Sequence, residues 1–265
     1  EVLLLENLRF HIEEERNDSE FARQLSDLAD VFVNDGFAVA HRAHASTEGI
    51  THYLPSVAGL LMHRELEILG TLLEHPQRPL VVLLGGAKVS DKIGVLENFI
   101  NKVNVILIGG GMAATFLKAA GNSVGSSLVE DELVDLAKDI SERARANQVE
   151  LHIPLDVVVA ESFEETTPHR TVNVTNIMPN SRIMDIGPQT IHLISKSLNP
   201  CKTVLWNGPM GIFEWHSFSH GTNSVANILS GLKQATTVVG GGSTAESTGK
   251  LGLTKAMTHV STGGG

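Results

Sequence analysis

Cysteine is nearly absent from this chain: Cys201 is the only one in 265 residues. A single cysteine excludes an internal disulfide framework and a CxxC metal knuckle, and it fits a reducing compartment. Basic charge is also scarce. Twenty Lys and Arg stand against thirty Asp and Glu, a net charge of −10, which argues against nonspecific binding to nucleic acid or to acidic membrane surfaces. A local basic cluster could still grip a phosphate. Long apolar runs are missing too. The longest, Val105 to Ala114, contains three glycines and is too short to cross a bilayer. There is no solenoid-like repeat, no low-complexity tract and no signal peptide, although the chain opens at Glu1 directly into a strand-like run. What is present suffices for a core: 42% hydrophobic and 19% charged residues, over a length that suits one large domain or two modest ones.

Glycine supplies the pattern. Many of the 25 glycines sit in four clusters: Gly85-Gly86, Gly109 to Gly111, Gly240 to Gly242 and Gly263 to Gly265. Each comes at or just after an apolar or β-branched run: Leu80 to Leu84, Val103 to Ile108, Thr236 to Val239, and Met257 to Ser261. A fifth run, Thr203 to Trp206, ends in the turn chemistry of Asn207-Gly208-Pro209. Continuous apolar strands, rather than alternating ones, predict a parallel sheet covered on both faces. Helical stripes fill the intervals. Ser90 or Asp91 can cap a helix bearing Ile93, Leu96 and Ile100, and Met112 to Ala120 stops at Gly121. Asp131 to Ala146 carries one apolar stripe, Pro188 suits a first helical position, and Thr222 can cap the helix of Val225 and Leu229. This alternation is the doubly wound α/β pattern.

The first 55 residues differ. A strand-like Val2 to Leu5 precedes a helix bearing Phe21, Leu25 and Leu28, a short strand Val31 to Val33, and a His-rich stretch ending at Pro55. Ser56 to Glu74 reads as one long amphipathic helix closed by Pro76 and Pro79. The expected division is therefore 1–55, an incomplete first domain; 56–78, a connecting helix and hinge; and 79–265, a second domain.

Glycine clusters between a parallel strand and a helix let backbone amides approach an anion, where the helix N-terminus adds partial positive charge. Several on one sheet edge point to a phosphate-bearing ligand, because open α/β sheets bind ligands at that edge. Gly109 to Ala114 and Gly240 to Ala245 both satisfy the loose dinucleotide fingerprint, with Glu130 and Asp131 near the spacing of a ribose-binding acid. Two matches in one chain make the pattern weak, and no P-loop exists. Lys88 and Lys92, four apart at a helix start, can neutralise a polyphosphate. Surface lysines are the bland alternative, weakened because cations sit badly at a helix N-terminus unless an anion offsets them. In Asn34 to Ser46, His41 and His44 have no HExxH frame or cysteine to make a zinc site. Arg42 instead suits a carboxylate or phosphate. Arg9 is either a second anion ligand or part of a surface ion pair.

With these residues in hand, the chain resembles phosphoglycerate kinase along its whole length. The matching stretches are Leu3 to Phe10 (LLLENLRF), Val33 to Ser46 (VNDGFAVAHRAHAS), Gly85 to Ile93 (GGAKVSDKI), Ile108 to Lys118 (IGGGMAATFLK), Asp185 to Pro188 (DIGP), Trp206 to Glu214 (WNGPMGIFE) and Ser261 to Gly265 (STGGG). The resemblance implies two Rossmann-like three-layer α/β/α domains with parallel sheets, the first incomplete here. One would bind 3-phosphoglycerate or 1,3-bisphosphoglycerate and the other MgATP or MgADP. It gives Arg9, His41, Arg42 and His44 to the phosphoglycerate side. Lys88, Lys92, Gly110, Gly111, Leu128, Met184, Asn207, Pro209, Gly211, Ile212, Glu214, Gly241, Gly242, Ser243 and Thr244 would go to the nucleotide. Lys88, Arg42, Gly242 and Gly264 would be catalytic. A cytoplasmic monomer that engages neither nucleic acid nor membrane is the implied setting, with organelle targeting left open.

Two departures stand out. The family usually has Asp after the glycine triplet, close to the nucleotide's Mg2+, and this chain has Ser243, a poor ligand for a hard cation. Glu246 or water would have to compensate. The family's opening segment and its tail after STGGG are also absent, so the 265-residue piece is expected to bind nucleotide weakly without turning over phosphoglycerate. A non-catalytic nucleotide-binding protein and an NAD-dependent oxidoreductase are the alternatives.

Overall fold

The computed structural model of this chain describes residues 2–261 and 263. It forms two compact units, Glu1–His75 and Pro76–Gly265. In the first, α1 (Ile12–Glu15) and α2 (Ser19–Ser26) precede β1 (Phe32–Asn34), β2 (Ser56–Ala58) and α3 (Leu60–Glu74). Asp18 caps α2 by accepting from Phe21 N at 2.9 Å. The expected strand Val2 to Leu5 is irregular and exposed, since no ladder forms along it among the described residues. The helix expected from Ser56 begins only at Leu60, because Ser56–Ala58 pairs in parallel with β1. Gly59 at the helix N-cap has no side chain to offer. Asp35, just past β1, supplies the missing acceptor, taking Met62 N at 2.9 Å.

The second unit runs β3 (Leu80–Leu84), α4 (Ile93–Phe99), β4 (Val105–Ile108), α5 (Ala113–Ala119), α6 (Val134–Ala146), β5 (Glu150–His152), β6 (Asp156–Ala160), β7 (His169–Asn173) and β8 (Arg182–Ile186). It continues with α7 (Pro188–Leu198), β9 (Thr203–Asn207), α8 (His220–Gly231), β10 (Thr236–Gly240), α9 (Gly242–Lys250) and β11 (His259–Val260). Six strands form a sheet in the order β11-β10-β9-β3-β4-β5, every pairing parallel. All five residues of β3 are buried, so both faces of the sheet are covered. Val81 and Leu83 pack with Val204, Trp206, Val225 and Leu229, while Leu80, Val82 and Leu84 bury the opposite face. Each such side chain stabilises the fold by roughly 1.5–3 kcal/mol relative to exposure. The architecture is Rossmann-like α/β. No helix among the described residues is long and apolar enough to cross a membrane. Cys201 is buried, and burial pushes its thiol up to about 11, which leaves it inert.

Helix boundaries differ from expectation where the capping side chain is engaged elsewhere. Pro188 does open α7, and Gly121, at φ 86°, follows the end of α5. Neither Ser90 nor Asp91 caps α4, which starts at Ile93 with Lys92 at the cap position. Thr222 lies inside α8, which starts two residues earlier, because its hydroxyl is engaged elsewhere. The larger omission is a separate antiparallel sheet, β7-β6-β8. Its polar outer strand His169–Asn173, mostly exposed, carries no apolar run to reveal it.

Candidate functional site

Parallel strands bring their carboxyl ends to one edge, and the loops leaving β3, β4 and β9 meet there backbone to backbone. Gly85 N donates to Asn207 O and Gly86 N to Pro209 O, both at 2.9 Å; Gly110 N donates to Met210 O and Met112 N to Gly86 O, both at 3.0 Å. A Cβ on Gly85 would lie 2.1 Å from Pro209 O, and one on Gly208 2.2 Å from Gly85 O. Only glycine permits that approach. The expectation that these clusters offer their amides to an anion is therefore corrected in part: the amides of Gly85, Gly86 and Gly110 are already bonded to neighbouring loops.

Beside this knot lies a cavity of about 360 Å³. Ala114, Leu128, Phe163, Ile183, Met184, Ile212 and Phe213 give it an apolar wall, and Arg182, Glu214 and Ser243 add polar points. Gly110, Gly111, Pro209 and Gly211 also line it. Among the residues expected to meet nucleotide, Lys88, Lys92, Asn207, Gly241, Gly242 and Thr244 are not in that lining. Ala87 and Ser243, which are, link the cavity to them along the chain.

Lys92 is half-buried and its Nζ donates to Asn207 Oδ1 at 2.8 Å. Burial lowers its pKa from the usual lysine value, against an opposing pull from Asp91. Such a cation gains from a nearby anion. Asn207 also borders α9: a Cβ on Gly241 would stand 3.0 Å from Asn207 Oδ1. The first turn of α9 has no side-chain cap, and Gly242 and Ser243 are exposed there; amides at such a helix start have no intrahelical acceptor. Thr244 is fully buried. Its hydroxyl accepts from Gly208 N at 2.7 Å, which ties α9 to the loop after β9.

Two buried or half-buried carboxylates brace the site. Glu130 accepts from Val89 N, from Ser90 N at 3.2 Å and from Ser90 Oγ. Burial raises its pKa, but the Ser90 and Val89 bonds and the Lys88 charge outweigh that and hold it below the usual value. It is thus engaged by the lysine turn. Asp185 is 1% exposed and accepts from Gly221 N at 2.7 Å and Ile186 N at 2.8 Å. Burial nonetheless pushes it up to about 7. A Cβ on Gly211 would fall 2.2 Å from its Oδ1. Next to Gly221, Thr222 Oγ1 accepts from Met210 N at 3.0 Å and Gly211 N at 3.3 Å.

In the first unit, Arg9, His41 and Arg42 are exposed. His44 departs from them: it is buried and its Nδ1 lies 3.6 Å from Glu14 Oε1. Glu14, itself 3% exposed, also accepts from Ser46 N and Oγ. The His44 side chain is thus part of an internal polar cluster. Gly264 lies outside the described residues. A magnesium ligand set is not assembled here. Ser243 offers a hydroxyl, Glu246 is paired with Lys250 at 2.8 Å, and no cluster of three metal-ligating side chains occurs among the described residues.

The family model for phosphoglycerate kinase matches residues 1–265. The chain belongs to that family. A phosphoglycerate kinase of Pelotomaculum thermopropionicum is 55% identical over 265 residues, covering 100% of this chain and 67% of that protein. One from Moorella thermoacetica is 51% identical with the same coverage. Among solved structures, phosphoglycerate kinase from Coxiella burnetii superposes with a TM-score of 0.88 at 43% identity, over 98% of this chain and 67% of that one. The Pyrococcus horikoshii enzyme gives 0.86 at 32%, over 100% and 68%. The chain therefore spans about two thirds of the length of these phosphoglycerate kinases, which are phosphotransferases with a carboxyl acceptor. Phe163, Arg182 and Ile183 line the cavity of this family member without having been expected. Adjacency to Met184 in the sequence was the available signal for the latter two.

Proposed function

We propose that this chain is part of a protein that catalyses reversible phosphoryl transfer between 1,3-bisphosphoglycerate with ADP and 3-phosphoglycerate with ATP, the 265-residue piece alone binding nucleotide without turnover. One observation supports it above the others: the apolar cavity of the second unit shares the α9 first turn with the Lys92–Asn207 pair through Ser243 and Gly241. In this reading adenine lies against Leu128, Met184 and Ile212, with Gly110, Gly111, Pro209, Gly211 and Glu214 around the nucleoside. The phosphates run toward the amides of Gly241, Gly242, Ser243 and Thr244 and toward Lys92. A carboxylate oxygen of phosphoglycerate attacks the γ-phosphorus while the bond to the ADP oxygen breaks, so no covalent intermediate forms on the protein. Lys88, Arg42, Gly242 and Gly264 neutralise and orient the transferring group, since this chemistry depends on positioning and charge. Arg9, His41 and Arg42, exposed in the first unit, hold phosphoglycerate, with His44, which is engaged with Glu14, as their neighbour in the sequence. Magnesium arrives with the nucleotide as part of the substrate, Ser243 standing where the family usually has Asp. The setting is glycolysis, gluconeogenesis or carbon fixation, by a cytoplasmic monomer.

Calorimetry with ADP and NAD tests the pocket, and a coupled assay for ATP formation from 1,3-bisphosphoglycerate tests the reaction. Tighter binding of NAD than of ADP overturns the proposal. ADP binding without transfer by the full-length protein that carries this sequence reduces it to a non-catalytic nucleotide-binding protein.

A further inference from the structure

The turn carrying Lys88 and Lys92 lies between β3 and α4 and is not capped by its own helix: Lys92 occupies the N-cap and makes no side-chain capping bond. Lys92 N donates to Val89 O at 2.8 Å, and the buried Val89 side chain anchors the turn from below. The remaining constraint comes from about forty residues away in sequence. Two backbone amides and the Ser90 hydroxyl converge on the one carboxylate of Glu130. Glu130 is fixed in turn: its N donates to Thr115 Oγ1 of α5 at 3.3 Å. Its neighbour Asp131 accepts from Lys118, also on α5, at 2.6 Å. Two residues before Glu130, Leu128 lines the cavity.

We propose that Glu130 is a positioning residue: its carboxylate sets the Lys88–Lys92 turn in the shape that meets nucleotide phosphate, and it ties that turn to the Leu128 wall of the same cavity. This rests on the nucleotide reading above. Electrostatics makes it testable by sign. A carboxylate close to Lys88 repels a polyphosphate, so if Glu130 did nothing but carry charge, removing it would tighten ADP binding. If it shapes the turn, removing it frees three donors and weakens ADP binding in spite of the lost repulsion. Ser90 separates the two effects further, because Ser90→Ala deletes one bond and leaves the charge.

The experiment is calorimetry on the whole chain with magnesium ADP and, in parallel, adenosine. Glu130→Ala should weaken ADP about tenfold and Ser90→Ala about threefold, with adenosine unchanged within about twofold, since the base wall keeps its other contacts. A cavity merely collapsed by the substitution would lose adenosine and ADP alike, and that result overturns the proposal. ADP binding that is unchanged or tighter in Glu130→Ala also overturns it. Should that variant fail to fold by circular dichroism, Glu130→Gln takes its place. It keeps an acceptor for Val89 and loses the charge, so weaker ADP binding with unchanged adenosine supports the role and tighter ADP binding overturns it. A wild-type chain that binds neither ligand overturns the nucleotide reading and this role together, whereas normal wild-type binding with indifferent variants overturns this role alone.

Discussion

Individual side chains in this site divide into those that face a ligand and those that hold others. Lys92 and Lys88 belong to the first kind in the proposed reaction, but in different ways. Lys92 already has a partner in Asn207 and would hold ground-state phosphate, so Lys92→Ala should weaken ADP binding by roughly tenfold or more. Lys88, exposed on the same turn, should affect turnover more than affinity when replaced by Ala in the full-length protein, which steady-state kinetics would resolve as kcat against KM. Unchanged values in both variants would remove them from the phosphate site. Asp185 belongs to the second kind, and its burial has a pH signature. Its folded pKa of about 7 lies above the unfolded value near 3.8, so between those values the folded state retains a proton that the unfolded state has released. Stability from this group is fully present below about pH 4, falls as pH rises toward 7, and is constant above that. The fall is on the order of 4 kcal/mol. Urea melts of wild type and Asp185→Asn across pH 4–8 should differ by a gap that changes over this window, and a pH-independent gap would refute it. Glycine clusters and paired lysines could be read from the sequence because their chemistry is local. Glu130, Asp185 and Glu14 could not, since their partners lie 30 to 40 residues away and leave no pattern in any short window.

Elements were legible where hydrophobic content is continuous and illegible where it alternates weakly. The β3, β9 and β10 runs are buried nearly throughout, and a parallel strand covered on both faces produces that signal. In the β6–β8 sheet, β6 is buried as continuously as β9, but its partner β7 is wet and the pairing with β8 shifts register at Val158 and Val159, so the run Val157 to Ala160 gives no sign of an antiparallel sheet. Helix starts were misplaced for a related reason: a threonine that looks like a cap can be taken by another loop. Thr222 serves Met210 and Gly211 from inside α8. Thr222→Val keeps the volume and removes the acceptor from two loop amides. It should cost about 1–3 kcal/mol in a urea melt and weaken adenosine binding, because the loop it releases includes Gly211 and Ile212 of the cavity. Stability and binding both at wild-type level would show that the loop holds itself.

Across the whole molecule the two units differ in what they bury. The first has Ala22, Ala45, Ile50, Met62 and Leu72 as its buried apolar residues, while the second packs Trp206, Val81, Leu83, Leu229 and many others into a continuous core. Hydrogen exchange should find the first unit opening at lower denaturant than the second. ADP at a hundredfold excess over its Kd should add about 2.7 kcal/mol to the second unit alone. Equal gains in both units would contradict a pocket confined to residues beyond Pro76. Within that unit, the cavity draws on two separate sheets. Phe163, Arg182, Ile183 and Met184 belong to the antiparallel sheet and its loop, while the glycine knot, Lys92 and the α9 turn belong to the parallel one. Among the described residues no ladder joins the two sheets. In the proposed reading, substitutions at Phe163, Arg182, Ile183 and Met184 can therefore reshape one wall of the cavity while the ladder that positions Lys92 and the α9 turn stays as it is.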